Sequence, residues 1–324
     1  MAVILIKNKY KVQTLNEGIS LSEAIDGISY TAIVKLVETQ ELKNVAIKKG
    51  DSIEIWDNDF ETKKLILTFR GIVWEINKSS TIAKHLSLEC KERIIYLEES
   101  EDEYLFPAGK TANQRAMQYC KDWSIPIGNL IDTAITLPKT VYRSSSILDM
   151  MLKDLKETAQ KGGKLLKFRM IDKLELIELG SNKTIWKLES IAEDIDTISS
   201  LNGAVTQVKV LGKQEDDKKT PVIGTFKSNT EKYGTIQKIV QDEKIKSAAD
   251  GKKRAETLFS TGEESVRVSG IDINTIRAGD KVSLNGVILY VVDITHMLGN
   301  PGKMDLNLTS LEEIRRRFYS GDTI

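Results

Sequence analysis

Gly50-Asp51-Ser52-Ile53-Glu54-Ile55 and Gly279-Asp280-Lys281-Val282-Ser283-Leu284 are the same phrase, Gly-Asp-x-apolar-x-apolar, written twice in one chain. Each is followed by a glycine that opens an apolar strand, Gly71-Ile72-Val73-Trp74-Glu75-Ile76 in the first case and Gly286-Val287-Ile288-Leu289-Tyr290 in the second. Each ends in an alternating strand, Leu86-Ser87-Leu88-Glu89 or Leu306-Asn307-Leu308-Thr309. The Gly-Asp pair makes the turn into a strand, and the later glycine allows a tight hairpin or a bulge. The reading is two copies of one antiparallel β-barrel module, with Asp57 to Lys64 as an extra loop in the first. Three such chains would carry six modules, so a trimer could form a ring of approximate sixfold symmetry.

Around the first phrase, from Lys9 to Cys90, apolar and polar residues alternate with β-branched enrichment, as in Thr31 to Val37, Asp51 to Trp56 and Leu65 to Phe69. That period predicts strands with one buried face. Turn signals stand at Gly50-Asp51, Asp57-Asn58-Asp59 and Asn77-Lys78-Ser79-Ser80. Beyond an acidic run from Glu98 to Glu103, read as a solvated loop, the period becomes helical. Thr111 stands as the N-cap before Ala112, Ala116, Met117, Tyr119 and Cys120, with Trp123 on the same face. A second helix follows Ser144-Ser145-Ser146 with Ile147, Leu148, Met151, Leu152 and Leu155, and Gly162-Gly163 stops it. Lys164 to Leu179 returns to strands with a hairpin tip at Lys173, and Val205 to Leu211 is a further strand. Gln214 to Thr220 reads as a charged loop, and Ser247 to Phe259 as a helix with Ala248, Ala255, Leu258 and Phe259 on its apolar face.

The expected fold is therefore mainly β with a helical insert (α+β): two similar antiparallel β-barrel modules plus a small helix-containing domain. The expected divisions are 1–95 for the first module, 96–163 for the insert, 164–225 for a β-rich segment and 226–262 for a linker and helix. Residues 263–314 form the second module, completed by strands of 164–225, and 315–324 form a C-terminal tail.

Length and composition bound the function. A chain of 324 residues exceeds one ordinary core, and 40% hydrophobic with 29% charged residues is the balance of a globular protein. Lys plus Arg and Asp plus Glu both number 47, so no global field draws the chain to nucleic acid or an anionic membrane. Cys90 and Cys120 lack a CxxC or His-pair context and are expected to be reduced, buried thiols rather than a disulfide or zinc ligands. The apolar run Val3 to Ile6 is too short for a signal peptide, no span reaches membrane-crossing length, and no membrane insertion is expected.

No constellation of catalytic, metal-binding or cofactor-binding residues emerges. The only histidines, His85 and His296, are expected to be structural, and no Gly-x-Ser-x-Gly elbow accompanies them. Glu98, Glu99, Glu101, Asp102 and Glu103 offer acids without the frame that glycan cleavage needs. Gly162-Gly163-Lys164 lacks the remainder of a phosphate loop. Lys252-Lys253-Arg254 and Arg315-Arg316-Arg317 could grip phosphate, but aromatic residues are 6% of the chain and do not interleave with them, so specific nucleic-acid binding is not expected.

The order of parts resembles the baseplate hub family of contractile phage tails, and most closely the hubs of defective prophages and R-type bacteriocins of Bacillus and Clostridium type; it is also similar to the T-even phage hub. The resemblance runs from Phe69-Arg70-Gly71-Ile72-Val73 through Leu86 to Arg93, Ala108-Gly109-Lys110-Thr111-Ala112 and Ile125-Pro126-Ile127-Gly128. It continues in Ser146-Ile147-Leu148-Asp149-Met150-Met151, Gly163-Lys164, Asp172-Lys173-Leu174-Glu175-Leu176, and Gly279-Asp280-Lys281-Val282 through His296 to Met304-Asp305-Leu306. It implies a structural, non-enzymatic homotrimer that adapts a sixfold tail tube to a threefold spike, with the tube, spike, baseplate wedge and tape-measure proteins as partners. It also implies a place in the baseplate of a virion or tail-like particle assembled in bacterial cytoplasm and released by lysis. Some relatives carry a fused cell-wall hydrolase; here the chain stops soon after Arg317, and that part of the repertoire is not expected. The alternatives are a baseplate-associated peptidoglycan hydrolase and a nucleic-acid-binding β-barrel protein.

Overall fold

The computed structural model describes residues 2–27, 29–80, 84–213, 219–241 and 245–319. Strands make up 46% of the chain and helices 21%, so the β-dominated reading with a helical insert holds. The chain begins with β1 (Val3–Ile6), β2 (Tyr10–Lys11) and a 3-10 turn (Gln13–Leu15). The first copy then runs through β3 (Asn16–Ala24), β4 (Thr31–Val37), α1 (Gln40–Val45), β5 (Ser52–Asn58), β6 (Leu65–Ser80) and β7 (Lys84–Lys91). The insert follows with α2 (Ile95–Glu98), β8 (Glu101–Phe106), α3 (Ala112–Asp122), β9 (Ile127–Leu130), β10 (Thr140–Ser146), α4 (Ile147–Gln160), β11 (Leu166–Met170) and β12 (Leu174–Glu178). A second 3-10 turn (Leu188–Ser190) leads into β13 (Ala192–Ser200), then β14 (Gln207–Leu211), β15 (Val222–Lys227), α5 (Thr230–Tyr233), β16 (Gln237–Gln241) and α6 (Ala248–Glu256). The chain closes with β17 (Glu263–Ile271), β18 (Lys281–Leu284), β19 (Val287–Leu298), β20 (Lys303–Thr309) and α7 (Leu311–Ile314).

The repeated phrase is a repeated structure. One 12-stranded sheet has the order β13-β17-β20-β19-β3-β4-β7-β6-β5-β1-β2, with β18 on β19. Set β1 and β2 aside, and it resolves into β3-β4-β7-β6-β5 and β13-β17-β20-β19-β18, the same order twice, each introduced by a 3-10 turn. The turns match atom for atom. Gly50 and Gly279 both take left-handed φ, +86° and +89°. Their N–H groups donate to Val73 O and Val291 O at 2.8 Å, and Val73 and Val291 donate back to Asp51 O and Asp280 O at 2.9 Å. Asp51 Oδ2 accepts from Lys48 N–H at 2.6 Å and Asp280 Oδ2 from Arg277 N–H at 2.9 Å, so each aspartate closes its own turn. Leu284 pairs with Val287 across Asn285-Gly286, both at positive φ, which is the tight hairpin the later glycine permits.

Four expectations need correction in detail. Among the described residues no sheet closes on itself: the two modules share one open sheet, the free edge of β3 finding its partner in β19 rather than within its own module. Asn77 to Ser80 is the end of β6, paired with β7, and not a turn; Asn77, Lys78 and Ser79 are exposed there. The acidic run is not a loop, since Glu98 ends α2 and Glu101 to Glu103 open β8, where they stay exposed while Phe106 is buried. α6 ends at Glu256, with Leu258 and Phe259 packing beyond it; Ala255 is buried as expected, but Ala248, in the first turn, is exposed and Gly251 stands on the buried face instead.

The insert's two expected helices form where predicted, and α2 and strands β8, β9 and β10, which the sequence pattern did not reveal, accompany them. Gln114 Oε1 accepts from Thr111 N–H at 3.1 Å to cap α3, and Ser146 Oγ accepts from Asp149 N–H at 3.1 Å to cap α4. β11 and β12 make the expected hairpin, Met170 opposite Leu174, but join β9 in a three-stranded sheet of the insert; from 164–225 it is β13 that completes the second module. Tyr119, Cys120, Ile147, Met150, Phe168 and Leu176 build the insert's core. In the first copy, β4 buries Ala32, Val34 and Leu36 and exposes the alternate side, each large buried side chain contributing about 1.5–3 kcal/mol. Both cysteines are buried and free, and burial pushes the Cys120 thiol up to about 12.

The chain separates into two compact units, Met1–Ile195 with Arg267–Leu308, and Asp196–Val266 with Thr309–Ile324. The second holds the sheet β15-β14-β16, in which β14 pairs antiparallel with β15 and parallel with β16, over a small core of Val208, Val210, Val240, Ala255 and Leu258. Residues 214–218 of the charged segment and 320–324 of the tail lie outside the described residues.

Candidate functional site

The seam where the two copies meet is built from groups far apart in sequence. β19 runs antiparallel to β3 in the register Asp293↔Ala24 through Leu298↔Ile19. Alternation along β3 sends Ile19, Leu21 and Glu23 to the buried side, so a carboxylate is carried into the interior beside two aliphatic residues. Arg277 from the turn of the second copy meets it: Nε donates to Glu23 Oε2 at 2.6 Å and Nη2 to Oε1 at 3.1 Å, a bidentate pair. Ala278 N–H adds a third bond to Glu23 at 3.1 Å. The guanidinium lies 3.9 Å from the ring centre of Tyr30.

The insert supplies further charges. Lys167 of β11 donates to Ala24 O at 3.0 Å and Gly27 O at 3.1 Å, with Glu23 Oε1 at 3.2 Å. Arg169 donates to Asp280 Oδ1 at 2.8 Å and to Ala278 O at 3.0 Å. Glu92, just past β7, accepts from Tyr30 N–H at 3.3 Å, and its other oxygen lies 3.8 Å from Arg277. One cluster thus ties both copies and the insert together. Burial by itself would raise the Glu23 carboxyl, but Arg277 and then Lys167 overcome it and hold the group far below the usual range. Burial lowers the Lys167 ammonium, against the pull of Glu23.

Glu92 goes the other way. Burial, opposed by Arg277 and reinforced by the charge of Glu23, raises it to about 8, well above the ordinary carboxylate range. A carboxyl raised in the folded state favours folding fully below its ordinary value near 4.5, and that contribution is lost as pH rises through about 8. Stability should therefore decline toward mildly alkaline pH with a slope of up to about 1.4 kcal/mol per pH unit for one proton. Glu92→Gln should flatten it; urea midpoints across that range make the comparison, and an unchanged slope would assign it elsewhere.

The extra loop of the first copy has a place in the same seam. Asn274 Nδ2 donates to Asn58 O at 2.9 Å, and Phe60 packs edge-on to Trp186 with centroids 5.6 Å apart. His296, on β19, is fully buried with Nδ1 2.6 Å from Asp272 Oδ1 and Nε2 2.9 Å from Ile276 O, so both ring nitrogens are engaged within the second copy. His85, on β7, is half-buried beside Glu17 at 2.7 Å. The two histidines are thus on different strands with separate partners. Glu101, Asp102 and Glu103 are exposed on β8. Arg316 is engaged by Glu313 and by the carbonyls of Gly203 and Gly262 at 3.1 Å, while Lys252 and Lys253 are exposed on α6. Among the described residues no three His, Cys, Asp or Glu side chains gather as a metal-holding group, and no helix is long and apolar enough to cross a membrane.

The sequence reading did not single out Glu23, Glu92, Lys167 or Arg277. A signal existed for two of them: Glu23 falls in phase with Ile19 and Leu21, and Lys167 lies between Leu166 and Phe168.

A family profile described as YQBQ-like matches residues 19–309, which spans both copies and everything between them. The chain belongs to the YQBQ-like family. Among curated proteins none matches it. Solved structures do share the fold of this YQBQ-like chain. The 43 kDa tail protein of prophage MuSo2 from Shewanella oneidensis superposes with a TM-score of 0.70 at 11% identity, covering 95% of this chain and 98% of that one. A tail protein from Neisseria meningitidis gives 0.69 at 10% identity, covering 98% of both. The E. coli c3393 protein, described as a component of the type VI secretion system with structural similarity to phage T4 tail proteins gp27 and gp5, gives 0.54 at 8% identity, covering 92% of this chain and 74% of that one. At these identities the likeness is one of fold. The chain has a phage-tail-protein fold, as the hub resemblance implied.

Proposed function

We propose that this chain is a structural, non-catalytic baseplate hub of a contractile tail or tail-like particle, a homotrimer joining a sixfold tail tube to a threefold spike. The observation that carries it is the doubled strand order β3-β4-β7-β6-β5 and β13-β17-β20-β19-β18 within one chain. A subunit with two equivalent modules lets three chains present six similar surfaces on one side while keeping true threefold symmetry elsewhere. The seam supports the same role, since a cluster of buried ion pairs and hydrogen bonds drawn from both copies and the insert fixes one arrangement of the copies and suits a part that transmits position and force. The partners under this reading are the tail tube, spike, baseplate wedge and tape-measure proteins. Its place is the baseplate of a phage, defective prophage or R-type bacteriocin, with assembly in the host cytoplasm and release by lysis.

Light scattering of the purified full-length chain should give three times the chain mass, and gold-labelled antibody against it should mark the tube end of purified particles. A chain that stays monomeric at all concentrations and is missing from particles would overturn the reading. Cell-wall zymography is expected to show no clearing. Clearing that disappears with Glu101→Gln or Glu103→Gln would replace the hub with a hydrolase.

A further inference from the structure

Among the described strands, two unused edges of the sheet copy the two edges used in the internal seam. Within the seam, residues 293–298 of β19, the half beyond the part that pairs with β18, receive β3. The turn bonds set Val73 equivalent to Val291, so the matching half of β6 is residues 75–80. That half pairs with β7 on one side; on the other, β5 stops at Ile72, and no described strand follows. The equivalent of β3 is β13, which follows its own 3-10 turn as β3 does and ends the sheet with β17 as its only neighbour among the described strands. Asn16-Glu17-Gly18-Ile19 aligns with Ala192-Glu193-Asp194-Ile195, which sets Ile19 equivalent to Ile195 and Ala24 to Ser200.

Burial distinguishes the used edges from the unused ones. In the seam Ile19, Leu21, Ile294 and His296 are at most 3% exposed. In the outer edges Ile195 and Ile198 are 41% and 40% exposed, and Glu75, Asn77 and Lys78 are open to solvent. Edge strands with exposed apolar side chains and unpaired backbone groups are ready templates for another strand.

We infer that residues 75–80 of β6 and residues 195–200 of β13 from a second copy of this chain form an antiparallel ladder in the register of the internal seam, Glu75↔Ser200 through Ser80↔Ile195. This rests on the homotrimer proposed above and names its contact. The six opposed pairs contain no like charges: Glu75 meets Ser200, Lys78 meets Thr197 and Ser79 meets Asp196. Each chain offers one edge of each kind, so the contact is heterologous and closes into a ring when the rotation per chain divides the circle. The outer ladder lacks the inner lock. The equivalents of Arg277 and Glu23 are Lys48 and Ser199, so the internal seam is bolted by charge and the one between chains is held by strand pairing alone. Chains would then fold first and assemble afterwards.

Directly opposed residues of an antiparallel pair have Cα atoms about 4.5–5.5 Å apart, within disulfide reach. Full-length chains carrying Asn77→Cys with Ile198→Cys, or Lys78→Cys with Thr197→Cys, should on mild oxidation give covalent products that end at three chains on a non-reducing gel. One of the two pairs occupies the site without direct hydrogen bonds, where disulfides form most readily. All four positions are exposed, and the native Cys90 and Cys120 are buried. The off-register pair Asn77→Cys with Asp194→Cys should remain uncrosslinked. If the chain is trimeric by light scattering and neither in-register pair crosslinks, the ladder is wrong and the trimer stands. If the unsubstituted chain is a monomer throughout, the trimer itself fails, and the ladder with it.

Discussion

Arg277→Met destabilises the chain by about 3–5 kcal/mol, the cost of leaving a buried charge without its partner. The arginine is held between Glu23 and the Tyr30 ring, and its loss strands the Glu23 carboxylate beside Leu21 with only Lys167 and one backbone N–H to answer it. The carboxyl then rises toward protonation, so the damage is greater at neutral than at acidic pH. Denaturant titration at the two conditions measures both the size and the sign. Replacing the set together, Glu23→Leu with Lys167→Met and Arg277→Met, should recover most of the loss, because well-packed apolar groups of similar volume often match a buried ion cluster in stability. A single Arg277→Met that costs less than about 1 kcal/mol, the worth of an exposed pair, would show that water reaches the seam.

Arg115→Met has an effect of the same order through a separate network in the insert. Arg115 is fully buried, and its Nη1 donates to Asp154 Oδ1 at 2.7 Å and its Nη2 to Pro138 O at 2.6 Å. Tyr142 O–H donates to the same Asp154 oxygen at 2.7 Å. Burial raises Asp154 to about 6, against the opposing effects of Tyr142 and Arg115. Without the arginine that acid moves higher, and a loss of about 3–5 kcal/mol is expected above its pKa, shrinking as the pH falls and the acid becomes neutral. Tyr142→Phe removes one hydrogen bond to a charged group and should cost about 1.5–3 kcal/mol. Thermal unfolding of the full chain with each variant tests the order Arg115→Met worse than Tyr142→Phe. The reverse order would place the tyrosine, not the ion pair, at the centre of the insert.

The candidate site was legible to very different degrees. The turns at Gly50-Asp51 and Gly279-Asp280 were plain because a turn is local: four residues carry both the backbone conformation and the aspartate that closes it. Thr111 and Ser146 marked their helices for the same reason. Glu23 and Arg277, 254 residues apart, meet only because two strand edges pair, and no nearby residue signals that meeting. Asn77 to Ser80 has the composition of a turn and the conformation of a strand, since pairing with β7 outweighs the weak preference of polar residues for loops.

By itself the sequence determined that the chain is β-dominated, that one module occurs twice, and that a capped helical insert lies between the copies. Period, turn chemistry and capping are written within a few residues of where they act. Only the tertiary structure decided that the modules share one open sheet, which charges are buried at their seam, and which edges copy those of the seam without a described partner. Backbone N–H and C=O groups are the same on every strand, so alternation tells which face is buried but not which edge a strand will find. That choice is made by the packing of distant parts.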